Sequence, residues 1–214
     1  MKNIPSFVRT RLIPALVITA LAMAAGIWTA RLLISHDTGA DPLAATRFPT
    51  ARTVQPFSLV DHTGSPFDNA SLAGRWSFLF FGYTHCPDVC PTTLSVLNSV
   101  AQRLQSAPEP VRFVMVTVDP ERDTPDKLGK FVTYFNGDFV GVTGTEEGLQ
   151  ALTKQLGIMY MRVNDTDNPA SYLVDHSAGV FLFDPNGRYH AVFSPPLSAD
   201  NIAADFSEMA RTFK

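Results

Sequence analysis

The sequence predicts a three-layer α/β domain with a central sheet, preceded by an N-terminal transmembrane helix. Short apolar segments rich in aromatic and β-branched residues alternate with amphipathic segments of helical period, and the chain ends in a hairpin and a helix. Residues 12–34 form a long, largely apolar run before this alternating region. The 214 residues, of which 45% are hydrophobic, suit one globular domain plus a short additional segment.

The first predicted elements lead to the two cysteines of the chain. Residues 57–60 and 65–68 flank four turn-forming residues, a pattern typical of a β-hairpin. The continuous apolar run 76–81 predicts a buried strand. A helix over about 91–105 is expected next, because Pro91 is well tolerated in a first helical turn.

The remaining elements alternate in the same way. Residues 111–118 are rich in β-branched residues and predict a second buried strand, and Thr124 followed by Pro125 predicts a helix start. The other predicted elements are a helix from there to about 135, a short strand at 139–142, a helix at 146–156, a strand at 158–163, an irregular loop at 164–171, an extended segment at 172–174, a hairpin of 180–184 and 188–193, and a closing helix at 198–213.

The N-terminal run predicts export of the rest of the chain. It is long enough to cross a bilayer as a helix, whereas the apolar region of a cleaved signal peptide, the alternative, is normally shorter. Positive residues before the run place the N-terminus in the cytoplasm and the domain on the outer face of the inner membrane, in the periplasm or an equivalent space. The predicted segments are a cytoplasmic tail (1–11), a transmembrane anchor (12–34), a linker (35–47) and the globular domain (48–214).

The charge of the chain argues against one class of function. The sequence has 17 basic and 20 acidic residues, a net charge of −3, and its basic residues form no cluster. Nucleic-acid binding relies on basic patches that neutralise phosphates. We therefore expect no nucleic-acid partner.

Cys86 and Cys90 lie where the strand 76–81 gives way to a helix. Each is followed by a proline, which predicts an extended conformation for both cysteines, with Cys90 just outside the helix. The positive end of the helix would then stabilise their thiolates. Three interpretations stay open for the pair: a structural disulfide, a redox dithiol with an unusual three-residue spacing, and a soft-metal site that needs a further ligand.

The further ligand is sought among the five histidines, which are His36, His62, His85, His176 and His190. His176 stands apart because it lies in a polar interruption between two apolar strand segments, and the order of elements is expected to bring this interruption towards the cysteines. A loop histidine without a functional role is the alternative. Two thiolates and one imidazole suit Cu(I) or Cu(II), whereas a structural zinc site would need a fourth ligand that is not evident.

The domain resembles the Sco/SenC proteins, membrane-anchored copper chaperones of cytochrome c oxidase assembly. The resemblance rests on three motifs in order, GYTHCPDVCPTT at 82–93, TVDPERDTP at 117–125 and DHS at 175–177. It implies a thioredoxin-like fold and copper held by Cys86, Cys90 and His176. It also implies that Cys86 and Cys90 can form a disulfide, and that some members are thiol-disulfide reductases.

The resemblance implies a copper carrier more than an enzyme. The expected partners are subunit II of cytochrome c oxidase as acceptor, a copper donor protein, a thioredoxin-like reductant that keeps the dithiol reduced, and the membrane. The alternatives are a thiol-disulfide oxidoreductase that acts on the cysteines of the oxidase copper site and, more weakly, a thiol peroxidase.

Acidic residues near these motifs admit two interpretations each. Asp88 and Asp175 adjoin the predicted ligands and are either supporting groups for the metal or solvated loop acids. The charged turn of Asp119, Glu121, Arg122 and Asp123 is predicted to be a solvated, capped turn, with docking of a partner as the alternative.

Overall fold

The computed structural model describes residues 18–29, 44–164 and 172–213. The chain divides into two compact units, residues 1–42 and residues 43–214. In the first unit residues 18–29 are helical, and its large apolar side chains, among them Leu21 and Trp28, are more than 60% exposed. The predicted tail and the remainder of the predicted anchor lie outside the described residues, as does most of the predicted linker.

Within the described part of the chain, no helix combines the length and the apolar character that crossing a membrane requires.

The second unit is built from ten strands and four α-helices, counted over the described residues. The strands are β1 (Ala45–Arg52), β2 (Ser58–Asp61), β3 (Pro66–Asp68), β4 (Trp76–Gly82), β5 (Val111–Thr117), β6 (Val140–Thr143), β7 (Tyr160–Asn164), β8 (Tyr172–His176), β9 (Val180–Phe183) and β10 (Tyr189–Phe193). The helices are α1 (Val89–Arg103), α2 (Pro125–Phe135), α3 (Glu146–Leu156) and α4 (Ala199–Thr212), and a 3-10 turn covers Ala70–Leu72.

The strands form a mixed sheet with the order β1-β10-β9-β4-β5-β6-β2-β3, while β7 and β8 form a separate two-stranded sheet. β4, β5 and β6 are parallel neighbours, so that α1 and α2 serve as their crossover connections. Every residue of β4 and of β9 is buried, which requires cover on both faces of the sheet. The predicted three-layer α/β architecture is therefore confirmed.

Side-chain caps stabilise three of the predicted helix starts, with Thr124 capping α2, Thr145 capping α3 and Ser198 capping α4. The hydroxyl of Thr124 accepts a hydrogen bond from the Lys127 N–H at 3.4 Å, and Pro125 occupies the first helical position. At the other end of α3, Gly157 adopts φ 70°, the left-handed conformation that glycine adopts without steric cost.

β1 was not predicted. It begins at Ala45, three residues before the predicted start of the domain, and pairs with β10 at the edge of the sheet. Most of its side chains are exposed, and it contains Pro49, so it lacks the alternation of apolar and polar residues that identifies a half-buried strand. An edge strand tolerates both features, because one side of its backbone needs no partner.

The prediction that Cys90 lies outside the helix in an extended conformation is wrong. α1 begins at Val89, so Cys90 is its second residue and Pro91 its third. The N–H groups of the first helical turn have no intrahelical acceptor, and a proline at the third position therefore removes no hydrogen bond. The preference of a residue before proline for the extended region is overridden here by the helix.

Candidate metal centre

The two cysteines lie at the end of the most buried strand. β4 ends at Gly82, and the segment that follows carries Cys86 before the chain enters α1. Cys90 is completely buried, whereas Cys86 is half-buried. The N–H of Cys90 donates to Cys86 Sγ at 3.5 Å, and both cysteines are free thiols. One sulfur is thus reachable from solvent and the other lies behind it.

The structure brings His176 to these sulfurs from a distant part of the chain. His176 is the last residue of β8, and its Nε2 lies 3.6 Å from Sγ of Cys90 across a sequence separation of 86 residues. The ligand atoms of Cys86, Cys90 and His176 all lie within 4.8 Å of one another. Two thiols and one imidazole at this spacing fit the donor set that soft metals prefer. Their role as ligands remains a prediction.

The orientation of His176 suits metal binding. Its Nδ1 lies 3.2 Å from the backbone carbonyl of Ser177. A carbonyl oxygen only accepts hydrogen bonds, so Nδ1 carries the proton in the neutral imidazole and Nε2 presents its lone pair towards Cys90. Such a second hydrogen bond holds the ring of a metal-binding histidine in place.

Aromatic rings enclose the imidazole on its inner side. Tyr83 is buried, and its ring meets that of His176 edge-on at 5.9 Å; the ring of Phe80 does so at 6.2 Å. Burial raises the pKa of Tyr83, so this hydroxyl stays neutral near the site. From the sequence, Tyr83 was identified only as part of a motif, without a role.

Burial also governs the chemistry of Cys90. Desolvation raises the pKa of the Cys90 thiol well above its ordinary value, and the neighbouring Cys86 adds to the effect. The expectation that the N-terminus of α1 stabilises the thiolate is therefore wrong for Cys90 in the metal-free protein. A soft cation would replace the proton and neutralise the buried negative charge.

The other histidines lie apart from this group. His62 accepts a hydrogen bond from the Gly141 N–H at 3.1 Å, and His190 is buried beside Trp76, with ring centroids 5.2 Å apart. His85 is half-exposed and turns towards Asp123, at 3.9 Å. His36 lies outside the described residues. Within the described residues, Cys86, Cys90 and His176 are the only group of this kind with ligand atoms so close together.

The acidic neighbours of the predicted ligands are exposed. Asp88 precedes α1 as its N-cap residue but makes no side-chain cap hydrogen bond. Asp175 lies on the outer face of β8 and is exposed. Their exposure agrees with the interpretation as solvated loop acids.

The charged turn after β5 is a buried junction, and the prediction of a solvated turn is wrong for Asp119 and Asp123. Both are completely buried. Asp123 accepts hydrogen bonds from the backbone N–H of Thr84 at 2.9 Å and from the Thr117 hydroxyl at 2.7 Å, which holds the cysteine segment against the end of β5. Asp119 pairs with Arg122. Such pairing is what permits a buried carboxylate.

The same turn also holds the strand that carries His176. Arg122 lies over the ring of Tyr172 at 3.6 Å and donates to its carbonyl at 3.0 Å. Tyr172 is the first residue of β8. The turn therefore connects the two parts of the chain that supply the three candidate ligands. This structural role of the turn could not be predicted from the sequence, because charged residues after a strand are ordinarily exposed.

A groove of about 360 Å³ leads from solvent to the candidate centre. Cys86 and His176 line it together with the apolar side chains of Val89, Val163 and Leu173. Val89, Val163 and Leu173 are 44–53% exposed to solvent. A reacting partner would reach Cys86 and His176 from this side, while Cys90 stays covered.

The fold and the site together define a thioredoxin-like protein with a dithiol and a histidine at a candidate soft-metal site. The SCO1/SenC family profile matches residues 45–211, and the chain belongs to this family. A SCO2-like protein of Rickettsia prowazekii is 33% identical over 189 residues, which cover 87% of this chain and 92% of that protein.

Solved structures share the fold. ScoI of Arabidopsis thaliana with copper bound is 30% identical, with a TM-score of 0.70 over 75% of this chain and 99% of that chain. BsSco, a member of the Sco family of cytochrome c oxidase assembly proteins, has a TM-score of 0.57 over 78% of this chain and 98% of that chain. At 24% identity the second likeness shows the fold alone. The family resemblance and the thioredoxin-like fold are confirmed.

Proposed function

We propose that the domain is a copper metallochaperone that binds copper through Cys86, Cys90 and His176 and delivers it to the binuclear copper site of subunit II of cytochrome c oxidase. The observation that carries this proposal is the meeting of two thiols and one imidazole within 4.8 Å. Membership of the SCO1/SenC family supports copper as the ion. Thiolates favour Cu(I), and imidazole accepts either oxidation state.

Three ligands leave the ion accessible to an incoming ligand. The groove at Cys86 and His176 is the side on which an acceptor would approach. Copper would leave by ligand exchange, with bonds to the acceptor forming as bonds to Cys86 and His176 break. Cys90, which is buried, would be the last ligand to release the ion.

Loading requires a reduced dithiol, because a disulfide between Cys86 and Cys90 offers no thiolate to the metal. In an oxidising compartment this calls for a thioredoxin-like reductant, and a copper donor protein completes the set of partners. We further propose that the N-terminal run anchors the domain to the membrane on its outer face, which would raise its effective concentration near a membrane-bound acceptor. The exposed apolar side chains of the helical residues 18–29 support this part.

A thiol-disulfide oxidoreductase is the second candidate, and one observation favours it. Cys86 is half-buried at the groove while Cys90 is completely buried behind it, an arrangement that suits an attacking and a resolving thiol. This reaction does not need His176.

The deciding experiment is the copper stoichiometry of the reduced chain, loaded without oxygen. Wild type is compared with His176→Ala, and His85→Ala serves as the control, since it removes a histidine that lies outside the candidate centre. A carrier retains about one copper per chain in the wild type and the control and loses most of it without His176. If the His176→Ala variant retains as much copper as the wild type, or if the wild type retains no copper, the oxidoreductase becomes the favoured function.

A further inference from the structure

The hairpin of β7 and β8 has an outer face that the candidate centre does not use. Met161 pairs with Asp175 across the two strands, and Tyr160 pairs with His176. Paired residues in an antiparallel sheet point to the same side, and successive residues point to opposite sides. Met161 and Asp175 therefore lie on the outer face, opposite to His176.

Met159 extends this outer face by one further pair. Its carbonyl accepts a hydrogen bond from the Ser177 N–H at 3.2 Å, and its N–H donates to the Ser177 hydroxyl at 3.4 Å. Met159 directly precedes the first residue of β7, and Met161 is two residues further on. Residues two apart along an extended backbone leave the same face, with Cα atoms about 7 Å apart. Two flexible thioether side chains at this spacing can reach one ion.

Both methionines are unusually exposed. Met159 is 80% and Met161 63% accessible, whereas Met115 and Met209, the other methionines of residues 43–214, are at most 1% accessible. Methionine is ordinarily a residue of cores, and its thioether sulfur is a soft, uncharged ligand that prefers Cu(I) over harder cations. Packing within the domain does not explain why two such side chains are exposed so near each other in the chain.

The exposed thioethers share a groove with a candidate copper ligand. One groove of about 660 Å³ is lined by Met159, Met161, Asp175 and His176, with Glu146 and Lys154 among its other walls. Its two carboxylates outnumber its single ammonium group, which favours a cation. His176 thus lines the same groove, although its side chain leaves the hairpin on the opposite face, where the imidazole reaches Cys90.

We propose that Met159 and Met161 form a low-affinity entry site for Cu(I), from which the ion passes to Cys86, Cys90 and His176. This inference rests on the proposed chaperone function for its biological role. Bonds from copper to the thioether sulfurs break as bonds to the thiolates form, the two thiol protons leave to solvent, and copper stays Cu(I) throughout. Thioethers bind without releasing a proton, so capture needs no deprotonation of the buried Cys90.

The first test isolates the entry site from the candidate centre. The full-length chain carrying Cys86→Ser and Cys90→Ser is labelled with ¹³C at the methionine methyl groups and titrated with Cu(I) without oxygen. The site predicts shifts of the Met159 and Met161 signals and none of Met115 or Met209. Unchanged Met159 and Met161 signals, or equal shifts at all methionines, would overturn the proposal.

The second test measures loading in the chain with intact cysteines. Met159→Leu with Met161→Leu keeps the apolar surface but removes both thioethers, and Met115→Leu is the control for a buried methionine. The double variant should load Cu(I) several-fold more slowly from an excess of a weak Cu(I) complex and reach the same final stoichiometry. Loading at the wild-type rate refutes the entry site. A lower final copper stoichiometry in the His176→Ala variant is a separate result. It tests the proposed function and not the entry site.

Discussion

Tyr172 donates its hydroxyl hydrogen bond to the buried carboxylate of Asp119 at 2.7 Å. This bond joins the start of β8 to the turn after β5, and the same turn holds the cysteine segment through Asp123. Contacts at the opposite end of β8 therefore help to fix the distance between the imidazole of His176 and the two sulfurs. Residues outside the candidate ligand set should influence its geometry.

Replacing Tyr172 with Phe tests this connection. The change removes one hydrogen bond to a charged group, and we expect it to lower the free energy of unfolding by about 1–2 kcal/mol. Copper affinity should fall as well, since β8 is less firmly held. Urea unfolding and competition with a copper chelator measure the two effects. Tyr134→Phe is the control, because Tyr134 is 85% exposed; equal effects of the two variants would refute the role of the bond.

The two cysteines should react with alkylating agents in a fixed order. Cys86 is half-buried at the groove, whereas Cys90 is completely buried and burial raises its pKa. In the reduced, metal-free chain we expect iodoacetamide to modify Cys86 at least tenfold faster. Mass spectrometry of peptides from timed samples gives both rates. Equal rates in the folded chain, with a reduced chain in urea as reference, would contradict the structure.

Gly82 should be essential for the shape of the site. A Cβ atom added at Gly82 would lie 2.8 Å from Sγ of Cys90 and 2.8 Å from the ring of Phe80. Both neighbours are completely buried, so Gly82→Ala should cost about 1–3 kcal/mol of stability by overpacking and should weaken copper binding. Thermal unfolding and copper stoichiometry measure these changes. Gly137→Ala is the matched control, since a Cβ there meets nothing within 4 Å.

His190 should make the stability of the fold depend on pH. Burial lowers the pKa of His190, and the nearby Arg47 adds to the shift, although Asp184 opposes it. The unfolded chain therefore binds the proton at a higher pH than the folded chain does. The contribution of His190 to the free energy of unfolding is fully present above about pH 6.5 and declines as the pH falls below that value.

His190→Phe should remove part of this decline. Among the described residues, neither ring nitrogen of His190 has a hydrogen-bond partner. The ring packs against Trp76 and Phe213, so an apolar ring is tolerated there. Unfolding free energies at about pH 7.5 and about pH 5.5 measure the slope in each variant. His85→Gln, which removes a half-exposed imidazole, serves as the control. A slope that survives His190→Phe unchanged would assign it to another group.

Local patterns in the sequence were enough to predict most elements of the fold. The apolar run before the cysteines forms β4, as predicted, and Thr124 with Pro125 marks the start of α2. Both signals depend only on residues that are close in sequence. β1 was not predicted, because an exposed edge strand shows no alternation of apolar and polar residues.

The candidate site was only partly accessible to the same reasoning. His176 was selected from five histidines by the topology around it, and its approach to Cys90 depends on contacts between residues 86 positions apart. The burial of Asp119 and Asp123 was missed, since the partners that permit it, Arg122 and Tyr172 for Asp119 and Thr84 for Asp123, are identifiable only in the folded chain. The raised pKa of Cys90 was missed for the same reason.

The separation of β7 and β8 from the main sheet has a kinetic consequence. Within the described residues these strands form backbone ladders only with each other, so the hairpin can open without breaking the ladder of β4, β5 and β6. We expect its amides to exchange with deuterated solvent orders of magnitude faster than those of the central strands, at a free energy well below that of global unfolding. Opening of the hairpin would move His176 away from Cys86 and Cys90 while the rest of the domain stays folded.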